Sequence, residues 1–145
     1  RVSQMGQAAF SEAWKAGVER DGSSVGVLYL DEVEAQLEDG CGYLRLGAGR
    51  APLLARMLRA RVGKGRDLCL YGRDSTVRFR SGVRPVLAWE DGILTVTLDE
   101  AAMEELCTVL PFHAGKYPLS AVPLSIVLIP TRITDAEGHV LEVIE

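Results

Sequence analysis

The sequence predicts an α+β fold: a single domain over 1–145 in which an antiparallel-rich mixed sheet is packed by about three amphipathic helices. Three observations carry the prediction. Apolar residues recur at helical spacing in three separated windows. Several β-rich runs are punctuated by glycine-bearing turns, and the links between them are too short for crossovers. The 145 residues, 48% of them hydrophobic, are enough for one core without disulfides or metal, burying roughly two thirds of the unfolded chain's surface.

Taken in order, residues 3–24 (SQMGQAAFSEAWKAGVERDGSS) suit an opening helix. Ser3 caps it, Met5, Phe10, Ala13, Trp14 and Val18 share one stripe, and the DGSS run stops it. SVGVLYL (24–30) and CGYLRLG (41–47) have strand composition, with the acidic DEVEAQLEDG between them read as a connector or short helical turn. Pro52 then opens a helix to about Val62, and Gly63 stands where a left-handed cap is wanted. Leu53, Leu54, Met57 and Leu58 form its buried face, whereas Arg56 and Arg59 point away and Arg61 lies near its last carbonyls.

DLCLYGRDSTVRFR (67–80) reads as a hairpin around Gly72 to Ser75, with Val77 and Phe79 on one face and Thr76, Arg78 and Arg80 on the other. RPVLAWEDGILTVTLD (84–99) is the strongest hairpin signal, two β-rich runs joined at EDG. Asp99 caps a helix with an inward stripe of Ala102, Met103, Leu106, Cys107 and Leu110; Glu104 and Glu105 read as its solvated face. Pro111 ends it. The loop PFHAGKYPLSAVP leads to two last strands, LSIVLIPTRI and HVLEVIE, joined at TDAEG, with Pro130 marking an edge or a bulge.

Charge is distributed unevenly. Residues 45–84 hold eleven basic side chains against Asp67 and Asp74, a balance of +9, while the whole chain carries −4 and the remainder therefore −13. Unless the fold separates it, such a block makes a basic patch of Arg56, Arg59, Lys64, Arg66, Arg73, Arg78, Arg80 and Arg84. Three functions compete for it. The leading one is a non-enzymatic interaction domain that turns this face to an acidic protein partner or to a second copy of itself. The second is a nucleic-acid binder, with Arg78 and Arg80 spaced about 7 Å apart on one strand face, although flanking aromatic platforms are scarce. The third is an enzyme binding a small phosphorylated ligand.

That third reading starts from LGAGRAP, in which Gly47 and Gly49 between strand and helix can aim backbone N–H groups at an anion beside Arg50. Neither a third glycine nor a P-loop spacing completes a nucleotide motif. His113, with Lys116 near it in a long loop, is the weak candidate for a general base, and the reading requires 47–50 and 113–117 to meet in space. His139 follows a turn and is expected to be solvated. Two histidines and three scattered cysteines (Cys41, Cys69, Cys107), read as small buried hydrophobes, offer no metal spacing. No cofactor, metal or membrane partner is expected. The start of the chain has no signal-peptide order and the cysteines fit a reducing compartment, so a cytoplasmic location is expected.

Overall fold

Period-2 alternation of apolar and polar side chains, stopped at Asp-Gly turns, accounts for most of the architecture in the computed structural model, which describes residues 26–30 and 32–145. The opening helix expected within 3–24 lies outside those residues. The fold is α+β. Its strands are β1 (Gly26–Tyr29), β2 (Val33–Glu38), β3 (Cys41–Gly47), β4 (Leu68–Tyr71), β5 (Thr76–Ser81), β6 (Val86–Glu90), β7 (Ile93–Leu98), β8 (Gly115–Pro118), β9 (Leu124–Ile129), β10 (Thr131–Thr134) and β11 (Val140–Ile144). Two helices are described, α1 (Ala51–Ala60) and α2 (Glu100–Val109), with a 3-10 turn at Val62–Lys64.

A five-stranded sheet runs β1-β4-β5-β7-β6, a four-stranded one β2-β3-β9-β8, and β10-β11 form a separate ribbon. Inward rows such as Val77 and Phe79, Leu94 and Val96, and Leu44 and Leu46 are fully or almost fully buried and join Leu54, Leu58 and Leu106 of the helices in one core. The Asp99 carboxylate accepts the Ala102 N–H at 2.8 Å and starts α2 as expected.

Several expectations change. DEVEAQLEDG is no connector: Val33, Ala35 and Leu37 alternate with Glu34, Gln36 and Glu38 as β2, and Asp39 and Gly40 (φ 52° and 78°) make the same two-residue turn as Asp91 and Gly92 (φ 53° and 77°). Three strand pairs are parallel, β1 with β4, β3 with β9 and β5 with β7: the β6–β7 and β8–β9 hairpins each lay their second strand beside an earlier strand, and the β4–β5 hairpin lays its first beside β1. The left-handed residue after α1 is Gly65 (φ 78°), not Gly63, since the chain tightens into the 3-10 turn first. The loop 111–123 contains β8, paired with β9. LSIVLIPTRI is split at Pro130, where the chain leaves the four-stranded sheet for the ribbon. Cys41, at a strand start, is exposed; Cys107 is buried as expected.

Candidate functional site

The turn 47–50 is the hinge on which the site is built. Three of its N–H groups are engaged within the fold: Ala48 donates to the Ile129 carbonyl (2.7 Å), Gly49 to Thr131 Oγ1 (2.8 Å) and Arg50 to the Gly47 carbonyl (3.0 Å). The glycines serve a close crossing. A Cβ on Gly47 would lie 2.6 Å from Thr131 Oγ1 and one on Gly49 3.1 Å from it, so a side chain at either position presses on Thr131 where β10 passes over this turn. Neither glycine adopts positive φ. The anion function expected of Gly47 and Gly49 therefore cannot draw on those three amides, and it falls to the Arg50 side chain, which makes no capping bond to α1.

Arg50 lines a groove of about 640 Å³ together with Tyr29 at the end of β1, Glu32, Arg73 at the tip of the β4–β5 hairpin, and Thr131 and Arg132 of β10. Its described wall holds three guanidinium groups against one carboxylate, Glu32. Among the described residues none of the three arginines has an ion pair. A second groove of about 670 Å³ shares Glu32 and Arg73 but adds Glu34, Arg45 and Asp74. There Glu34 and Arg45, cross-strand partners in β2 and β3, are paired with each other.

The other basic residues lie elsewhere. Arg78 donates through Nε (2.8 Å) and Nη2 to Asp67, whose backbone carbonyl accepts from Arg61 Nε at 3.2 Å. Phe79 pairs with Leu68, so Arg80 stands beside Asp67, with Lys64 and Arg66 on the turn leading into β4. Strand rise separates this end of the hairpin from the Arg73 tip by about 13 Å. Arg59 reaches Glu104 of α2 at 3.2 Å, Arg56 is exposed on α1, and Arg84 is exposed between β5 and β6. The block 45–84 is thus spread over both ends of the β4–β5 hairpin, β3 and α1, and among the described residues Arg45, Arg59 and Arg78 are in ion pairs.

The 47–50 turn and the 113–117 segment do share one end of the four-stranded sheet, because Gly115, Leu128 and Leu46 lie in one row across it, spanning about 10 Å. Residues 144 and 145 lie there too. His113 Nδ1 is 3.2 Å from the Glu145 carbonyl, Ile144 packs at Gly49, and Lys116 lies in the row of Val127 and Arg45 on the sheet's outer face. Burial pushes the Cys69 and Cys107 thiols up, which keeps both protonated at neutral pH. In the β10–β11 turn Asp135, Glu137 and His139 bring possible ligand atoms within 4.8 Å of one another. Asp135 Oδ1 accepts the N–H groups of Glu137 and His139, both at 2.9 Å, so it also closes the turn.

Sequence reasoning missed Arg132, 82 residues from Arg50 and outside the basic block. It also missed Glu105, whose carboxylate accepts from Ser120 N (2.9 Å), Ser120 Oγ (2.8 Å) and Ala121 N (2.8 Å) and so ties α2 to the β8–β9 loop. The Ala121 and Ser120 N–H groups hold that carboxyl below its ordinary range. Only the proline break at 130 hinted that the last strands cross over the turn.

No family model and no curated protein matches the chain. Among solved structures, the crystal structure of Drosophila Suppressor of Fused is similar in fold, with a TM-score of 0.50 and 13% sequence identity over 81% of this chain and 35% of that one. The chain spans about a third of that protein's length, and the likeness is one of fold alone. No helix among the described residues is long and apolar enough to cross a membrane.

Proposed function

We propose that this chain is a non-enzymatic interaction domain that holds an acidic segment of a partner protein in the groove of Arg50, Arg73 and Arg132. The observation that carries the reading is the convergence of three arginines, from three separate elements and without ion pairs, on one groove. The fold shared with Suppressor of Fused, a protein named for suppressing another, supports a protein partner. So does the neighbouring surface: Val140 and Val143 of the ribbon, both exposed, pair with Thr134 and Arg132 and so share the ribbon face that carries Arg132. An acidic segment lying along the groove would set its carboxylates on the arginines and its apolar residues on the ribbon.

The residues outside 45–84 carry −13, so a second copy of the chain is one partner of suitable charge. Phosphates of a nucleic acid are the alternative taken from the same arginines, but Arg78, central to that idea, already donates to Asp67.

The test is anisotropy of labelled degenerate peptide pools, one glutamate-rich and one glutamine-rich, at about 50 and 300 mM salt. The glutamate pool is expected to bind, to weaken at high salt as charges are screened, and to lose at least about fivefold in affinity on Arg73→Ala or Arg132→Ala. Arg80→Ala, at the other end of the sheet, should change little. No glutamate-pool binding at low salt, or binding indifferent to Arg73 and Arg132, overturns the reading. Light scattering across the same salt range tests self-association: a monomer throughout removes the second copy as partner.

A further inference from the structure

Resting on that reading of the groove, we infer that it prefers a phosphorylated side chain of the partner, a dianion, over a carboxylate. Three arginines and one carboxylate, Glu32, leave an excess of two positive charges among the described lining residues. One carboxylate cancels half of that excess. A phosphomonoester carries about −1.5 to −2 at neutral pH and presents three acceptor oxygens.

The donors suit such a group. Guanidinium forks engage phosphate oxygens two at a time, and here they come from three sides: Arg50 ahead of α1, Arg73 from the hairpin tip, Arg132 from β10. Thr131 Oγ1 accepts from Gly49 N–H and keeps its own proton to donate, and Thr134 lines the same wall. The amides of Ala48, Gly49 and Arg50 take no part, being engaged within the fold. The adjoining groove gives the contrast: Glu32, Glu34 and Asp74 outnumber Arg45 and Arg73 there, and Arg45 is already paired, so a dianion is repelled from that side and confined to the first groove.

The ligand's own titration supplies the readout. A phosphomonoester loses its second charge near pH 6, about two units above a glutamate carboxyl. The ionisable groups described around the groove are Tyr29, Glu32 and the three arginines, with no histidine, the side chain that ordinarily titrates in that window.

Three degenerate peptide pools with a central phosphoserine, glutamate or serine are compared by anisotropy at pH 7.5 and 5.0, with inorganic phosphate as competitor. The phosphoserine pool is expected to bind at least about tenfold tighter than the glutamate pool at pH 7.5. That margin should shrink at least about threefold at pH 5.0 and vanish in Arg73→Ala and Arg132→Ala, whose unchanged melting curves would show that they fold. Equal binding of phosphoserine and glutamate pools overturns the preference and leaves the acidic-partner reading standing. Binding of neither overturns both. Inorganic phosphate binding alone as tightly as the phosphoserine pool overturns the peptide source and makes the occupant a free phosphorylated small molecule.

Discussion

The two ends of the β4–β5 hairpin use arginine in opposite ways. At the open end Arg78 lies on the same sheet face as Asp67, two residues along from its cross-strand partner Cys69, and the carboxylate holds it. At the tip Arg73 has no ion pair among the described residues and joins Arg50 and Arg132 around a groove with a single described carboxylate. Residue type is the same at both ends; register decides whether a guanidinium completes the fold or remains for something else. A count of charge over 45–84 averages these two situations, which is why it indicates one patch where the molecule spreads its arginines over several elements.

The contrast can be broken most severely at the wall of the groove. Gly47→Val places a side chain on Thr131 and forces β10 away from the turn, at a cost of about 2–3 kcal/mol. The midpoint of urea unfolding should fall accordingly, and an unchanged midpoint would show that the crossing tolerates a Cβ. Asp67→Ala removes the carboxylate that accepts from Arg78 at the held end. Partial exposure of this pair, 41% and 25%, limits the loss to about 1 kcal/mol, and glutamate-pool binding should stay within about twofold of wild type.

Glu105→Gln serves as a scale for a carboxylate held by backbone amides away from both ends. Its largely exposed hydrogen bonds set the loss near 1 kcal/mol at pH 6. Because the folded-state pKa is lowered, this contribution is present above the unfolded-state value of about 4.3 and is lost as pH falls through the folded one. Wild type and variant should therefore converge in unfolding free energy on going from pH 6 to pH 3; a constant difference would remove the carboxylate from the explanation. The smallest effect belongs to Arg50→Ala, which should leave thermal stability within about 0.5 kcal/mol of wild type while weakening the glutamate pool.

Much of the local structure was readable from residues. Hairpin strands around Gly72–Ser75 and at Asp91-Gly92, the Asp99 cap, and the inward placement of Val77 and Phe79 all follow from short-range rules. The Asp39-Gly40 turn obeyed the same rule and was obscured only by the acidic residues on the outer face of β2. Long-range relations were not readable. The three parallel pairings depend on which finished hairpin inserts where, and nothing within Cys41–Gly47 names Leu124–Ile129 as its neighbour. Gly47 and Gly49 were noticed for the right peculiarity, absence of a side chain, but the chain segment that requires it lies at Thr131. Of the groove's arginines, Arg50 and Arg73 were within the suspected block, whereas Arg132 joins them only because Pro130 turns the chain over the turn.

The bond from Gly49 to Thr131 spans 82 residues, and β3 pairs with β9 over a similar separation. In a chain made from its N-terminal end, the β2–β3 hairpin must wait for most of the remaining sequence before its open edge is covered. Non-local parallel pairing of this kind slows folding, and an edge left waiting is a template for wrong neighbours. The groove, whose wall includes β10, is accordingly among the last features of the molecule to exist, so a nascent or truncated chain ending before Thr131 would carry the arginines of the hairpin tip and the turn without the site they share.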